Sequence, residues 1–185
     1  KSLAEERGAC PDAEEYGMKE RFSNKTAIAP TASISIICGG SSPGIEPIAA
    51  NSYTHKTLSG SFNVRNKYLK KILSKYKKDT DDVWSSITTN QGSVSHLDFL
   101  TAEEKDTFKT AFEIDQRWIV ELGADRTPHI SQAQSINIFI PADIHKKDLH
   151  NLHFQAWKKG LKSLYYCRSK SIQRAENVNK GTSTD

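Results

Sequence analysis

Two short stretches of this chain carry side chains arranged for chemistry. The first is Thr26 to Pro47, TAIAPTASISIICGGSSPGIEP. Within it, Pro30, Thr31, Ala32, Ser33 and Ile34 follow the apolar run Ala27-Ile28-Ala29 and lead into Ser35-Ile36-Ile37. Proline has no N–H to give to a ladder, so the strand reads as ending at Pro30. A tight turn and a helix N-terminus follow, where unpaired amides and the positive end of the helix dipole attract an anion. Thr31 and Ser33 offer hydroxyls that can cap the helix or bind an oxyanion. Ala32 lets a bulky phosphate approach the backbone, and Gly39-Gly40 supply a stop. An ordinary capped turn uses the same residue types. The second stretch is Tyr165-Tyr166. Adjacent residues on a strand face opposite sides of the sheet, so the pair predicts one core ring and one surface ring.

Other candidates say less. Of the six histidines, His150 and His153 can share a helix face, yet no cysteine or carboxylate set completes a metal site around them. Glu46 can serve in acid–base work or in a structural hydrogen bond. The GxSxG, HExxH and GxxxxGK[ST] patterns are absent. Cys10, Cys38 and Cys167 lie far apart with no CxxC spacing, which argues against a disulfide framework and for a reducing cytoplasm.

The elements that must position these groups read as α/β. Lys1 to Glu20 is charged and helix-compatible, and Cys10-Pro11 reads as a helix followed by a loop. Asn51 to Arg65 suggests a hairpin around Ser59-Gly60. Asn66 to Lys78 predicts a helix with Tyr68, Leu69, Ile72, Leu73 and Tyr76 inward. Its lysines, Lys70, Lys71, Lys75, Lys77 and Lys78, read as a solvated face rather than a nucleic-acid surface. Thr80-Asp81-Asp82 opens a helix carrying Val83, Trp84 and Ile87 to a break at Gly92. Thr101 and Glu104 form a capping box for a helix presenting Phe108, Ala111 and Phe112. Asp115 to Asp125 is a helix with Trp118, Ile119 and Leu122 inward, stopped at Thr127-Pro128. Gln134 to Ile140 alternates as a strand. A helix capped by Asp143 then runs to Lys159, burying Leu149, Leu152, Ala156 and Trp157, with Gly160 just beyond its end. Leu161 to Cys167 returns as a strand, completing a β-α-β unit with parallel pairing. Asn177 to Asp185 is polar and expected to be disordered.

Composition sets the frame. With 185 residues the chain can build a real core, and a net charge of +4, from 26 Lys+Arg against 22 Asp+Glu, requires no nucleic acid. No apolar run approaches the roughly 20 residues of a membrane span, and no signal-peptide pattern is present. The chain begins at Lys1 and its only methionine is Met18, so it reads as a piece of something longer.

PTASIS followed by Gly44-Ile45-Glu46-Pro47 resembles the substrate-phosphate loop of the ribonucleotide reductase large (alpha) subunit. The resemblance continues through Tyr53-Thr54-His55-Lys56, Gly60-Ser61-Phe62, Gly92-Ser93-Val94, Gln132 to Asn137 and Ser163-Leu164-Tyr165-Tyr166. It covers nearly all of Arg7 to Arg174 and only the C-terminal part of that subunit. It implies the later strands of a ten-stranded α/β barrel for residues 1–169, with a polar tail at 170–185. It also implies that Pro30, Thr31, Ala32, Ser33 and Ile34 hold the 5′-diphosphate of a ribonucleotide. Tyr165 and Tyr166 would belong to a radical relay from a metal-bearing small (beta) subunit toward an active-site cysteine.

By the same resemblance, this chain binds no cofactor itself. Its partners would be the N-terminal portion of the large subunit, the small subunit and a ribonucleoside diphosphate, with a dithiol reductant of thioredoxin or glutaredoxin type. The radical cysteine, the reducing pair, their neighbouring asparagine and glutamate, and the allosteric sites lie in the family's earlier part and cannot be placed here. The family's C-terminal cysteine pair has no counterpart either, so this chain is not expected to turn over alone. The adenosylcobalamin-dependent reductase shares a similar loop, but the double tyrosine argues for the small-subunit type. A non-catalytic nucleotide-phosphate binder is the reading from another class.

Overall fold

A computed structural model describes residues 1–57 and 60–169. The expected disordered tail and the start of the turn at Ser59-Gly60 lie outside those residues. Two short helices open the chain: α1 (Ser2–Arg7) and α2 (Pro11–Glu15), the second with Cys10 at its N-cap. The Ala27 segment contributes one parallel bridge, Ile28 to Gln134, flanked by Ile28 N to Ala133 O (3.3 Å) and Ser135 N to Ile28 O (2.8 Å). Helix α3 (Ala32–Ile37) follows directly.

The hairpin is present as β1 (Ser52–Thr57) and β2 (Gly60–Arg65), paired antiparallel with Ser52 opposite Arg65. Asn66 caps α4 (Lys67–Lys75), its Oδ1 accepting from the Tyr68 amide at 2.9 Å. Leu69 and Leu73 are fully buried, whereas Tyr68, expected inward, faces solvent beneath the ammonium groups of Lys67 and Lys71. Helix α5 (Asp81–Thr89), capped by Thr80, adds Trp84 and Ile87. With Val94, Leu97 and Leu100 these form one core cluster.

The capping box at Thr101 and Glu104 opens α6 (Ala102–Thr107), which is shorter than its apolar pattern suggests. Thr110 restarts the chain as a separate 3-10 turn, Ala111–Glu113, so Ala111 and Phe112 belong to a second core. Glu104 accepts from the Thr101 amide and from the Tyr76 hydroxyl, both at 3.0 Å. The Thr101 hydrogen bond foremost, then Tyr76, holds its carboxyl below the ordinary value. A carboxylate depressed in the folded state stabilises fully above its unfolded value, about 4.3, and loses that contribution as pH falls. Glu104→Gln should therefore melt earlier than the parent at neutral pH. The difference should close below about pH 4, as a pH series of thermal melts would show.

Helix α7 (Gln116–Arg126) is capped by Asp115 and buries Ile119, Val120 and Gly123. Trp118 and Leu122, expected inward, are exposed. Gly123 is the reason: a Cβ there would stand 2.7 Å from Ile136 Cδ1, so the glycine lets α7 lie close against the sheet along that face. Strand β3 (Ile138–Ile140) is buried on both faces, as the interior of a parallel sheet requires. Helix α8 (Lys146–Lys158) is capped by the His145 ring rather than by Asp143, with Nδ1 accepting from the Lys147 amide at 3.1 Å. It buries Leu152 and Ala156 against Val120 and Ile138, while Trp157 turns outward.

Gly160, at φ 80°, ends α8 as expected, with Leu161 N donating to Ala156 O. The return strand β4 (Cys167–Ser169) begins later than the apolar run Leu161 to Cys167 suggests, and pairs parallel with β3, Ile138 opposite Cys167. The β-α-β unit is thus real and its second strand short. The described residues are α/β with no closed barrel: β3 pairs with β4, Ile28 bridges Gln134 ahead of β3, and the hairpin is a separate two-stranded sheet.

Candidate functional site

The middle parallel segment organises everything that could do chemistry. Its first half, Gln132 to Ser135, holds the Ile28 strand, and its second half, Ile136 to Ile140, holds the chain from Tyr165 to Ser169. The loop after Ile28 and the tyrosine pair are therefore fixed by one backbone.

In that loop the Thr31 amide and hydroxyl both donate to Pro43 O at 3.1 Å. The Thr31 hydroxyl thus closes the loop and makes no side-chain cap on α3. The first intrahelical bond runs from Ser35 N to Thr31 O, so the amides of Ala32, Ser33 and Ile34 precede it. Pro30, Ala32, Ser33 and Ile34 are exposed and Thr31 is half-buried. Ile34, Ile36 and Ile37 leave an apolar face open to solvent.

The loop ends on Glu46, which is 5% exposed. Its Oε1 accepts from Asn137 Nδ2, and Asn137 Oδ1 accepts from the Tyr166 amide at 3.2 Å. Glu46 Oε2 is buried with no hydrogen-bond partner among the described residues. Asn137 was not singled out by its sequence; the signal available was a lone polar residue inside the isoleucine alternation of Ser135 to Ile140.

Tyr165 and Tyr166 do not divide between core and surface. Both are about half exposed, and their rings touch, with centroids 4.2 Å apart and planes at 59°. Backbone bonds from Tyr165 N to Ile136 O (2.8 Å) and from Ile138 N to Tyr166 O (2.9 Å) fix the pair before β4 begins. The Arg168 guanidinium lies over the Tyr166 ring at 5.1 Å. The neighbouring Tyr166 phenol, foremost as a hydrogen-bonding partner and then by its charge, pushes the Tyr165 phenol above the ordinary tyrosine value. Two phenols with their rings in contact can exchange an electron together with a proton.

The family model described as ribonucleotide reductase, barrel domain, matches residues 6–167. The chain belongs to the ribonucleotide reductase large-subunit barrel family. It is 51% identical over 176 residues to the ribonucleoside-diphosphate reductase large subunit of Invertebrate iridescent virus 6, a match covering 93% of this chain and 18% of that one. Against the large subunit of Invertebrate iridescent virus 3 the identity is 46%, covering 98% of this chain and 29% of the relative. Among solved structures, the Actinobacillus ureae class Id ribonucleotide reductase alpha subunit superposes with a TM-score of 0.77 at 39% identity, over 92% of this chain and 30% of that one. The chain thus spans less than a third of the relatives it matches.

The histidines do not gather into a metal site: no group of three or more His, Cys, Asp or Glu side chains converges among the described residues. No helix among the described residues is long and apolar enough to cross a membrane.

Proposed function

We propose that residues 1–169 are the C-terminal barrel portion of a ribonucleoside-diphosphate reductase large subunit, holding the substrate diphosphate and carrying the tyrosine relay. The ring contact between Tyr165 and Tyr166 is the observation that carries this reading. Tyr165 and Tyr166 carry the relay: a phenol gives up one electron and one proton to become a phenoxyl, and the small subunit's metal centre would supply the one-electron oxidant for that step. That phenoxyl is restored by one electron and one proton from the second phenol, and the second by a cysteine thiol of the large subunit's other portion, which becomes a thiyl radical. A dithiol supplies the two electrons and two protons that replace the ribose 2′-hydroxyl by hydrogen, leaving a disulfide and water. The radical returns along the same path.

The amides of Ala32, Ser33 and Ile34 hold the diphosphate, since helix-entry N–H groups stabilise an anion with little reorganisation. The exposed face of Ile34, Ile36 and Ile37 is covered by the other portion of the barrel. Three free cysteines and a dithiol-dependent reaction suit the cytoplasm.

Grafting residues 6–167 in place of the matching segment of the Invertebrate iridescent virus 6 large subunit tests this. Assembled with that virus's small subunit and a dithiol, the hybrid should reduce ribonucleoside diphosphates within about tenfold of the parental kcat/KM, a barrier change below about 1.4 kcal/mol. A hybrid that folds and binds the diphosphate without reducing it would mark a phosphate-binding module instead.

A further inference from the structure

Glu46 is a buried carboxylate that neither phosphate binding nor the relay uses. Its surroundings hold it firmly. Ser42 Oγ donates to Glu46 O at 2.5 Å, which fixes the backbone. Gly44 clears the space above the side chain, since a Cβ there would meet the carboxylate atoms at 2.7–3.0 Å. Oε1 takes the Asn137 amide, and Oε2 has no donor among the described residues. The carboxylate's orientation therefore depends on Asn137, and Asn137's depends on it.

That mutual dependence fixes an amide unambiguously. A carboxylate oxygen only accepts and a backbone N–H only donates. With Glu46 on one side and Tyr166 N on the other, Asn137 must turn Nδ2 to the first and Oδ1 to the second. The reverse orientation sets two acceptors against each other and two donors against each other.

We infer that Glu46 is a positioning residue for the phenol pair: it locks the Asn137 amide, which anchors the Tyr166 backbone and so keeps the two rings in contact. The inference rests on the relay reading. It also assigns the GIEP segment a second task, because the loop that begins at the proposed phosphate site ends on the residue that sets the relay.

The test uses an intact large subunit containing this segment, assembled with its small subunit. Glu46→Met removes the acceptor and keeps the bulk. It should lower kcat at least about tenfold while the KM for the diphosphate stays within about twofold, the pattern of a lost transition-state contribution. Glu46→Gln still offers an acceptor and should recover kcat to within about threefold. Asn137→Asp sets two carboxyl groups together and should match Glu46→Met. A merely structural Glu46, sitting at the end of the phosphate loop, would raise KM and lower the melting temperature together; that outcome overturns the inference, as does a Gln variant no better than Met.

If Glu46→Met does not fold, Gly44→Ala displaces the same carboxylate from the loop side and is read by the same split between kcat and KM. Tyr166→Phe separates the two levels. If it is inactive and Glu46→Met is normal, positioning fails alone. If it turns over normally, the relay reading fails and takes the inference with it.

Discussion

Asn51→Asp should destabilise the chain by about 3–5 kcal/mol, the range for a buried charge left without compensation. Asn51 is 1% exposed and serves as the polar hub of the α4–α5 half. Its Nδ2 donates to Gly92 O at 3.0 Å and to Phe108 O at 2.7 Å, and its Oδ1 accepts from Asn66 Nδ2 at 2.8 Å. The backbone repeats the links, with Asn51 N to Gly92 O and Asn66 N to Asn51 O. An aspartate matches the shape, but it points a second oxygen at two carbonyl oxygens and has no N–H for either. At roughly 2–4 °C per kcal/mol for a chain of this length, the melting temperature should fall by about 10 °C. Trp84, buried in the neighbouring cluster, reports the transition by fluorescence. A variant melting within about 2 °C of the parent would show that the hub relaxes to admit water.

The sequence reading located most elements because their signals were local. Thr101 and Glu104 are spaced as a capping box, Asn66 precedes a lysine-rich amphipathic run, and Gly160 follows α8 where a left-handed residue is needed. It failed where an inward face had to be chosen from a broad apolar arc. Trp118 and Leu122 are as apolar as Ile119 and Val120, and only the close approach of Gly123 to Ile136 decides which side meets the sheet. Trp157, next to buried Ala156, is turned away by one residue's helical rotation.

The turn from Pro30 into α3 was legible because a proline and a cluster of small and hydroxyl residues stand there. The Glu46–Asn137 contact was not, since its partners are 91 residues apart and strict alternation assigns Asn137 to solvent. A parallel strand buried on both faces has no solvent side, so its one polar side chain must find a partner from elsewhere in the chain.

Tyr165→Phe should lower turnover of the assembled reductase by at least about a hundredfold, equivalent to about 2.7 kcal/mol of barrier, while diphosphate binding stays unchanged. The substitution removes one oxygen and preserves the ring, so the contact with Tyr166 at 4.2 Å survives in shape. What disappears is the O–H, and with it the only means the ring has of yielding an electron and a proton together. A benzene ring is too hard to oxidise to stand in, so the path breaks at that point. Folding should change little, because the ring is about half exposed and its backbone is held by Ile136 O. Binding should be kept because, among the described residues, the loop from Pro30 to Ile34 reaches the pair through the middle strand and the Glu46–Asn137 link. Paired measurements of kcat and of diphosphate affinity decide the matter: turnover within about twofold of the parent would make Tyr165 a surface ring that happens to touch its neighbour, and the radical would need another road through this half of the barrel.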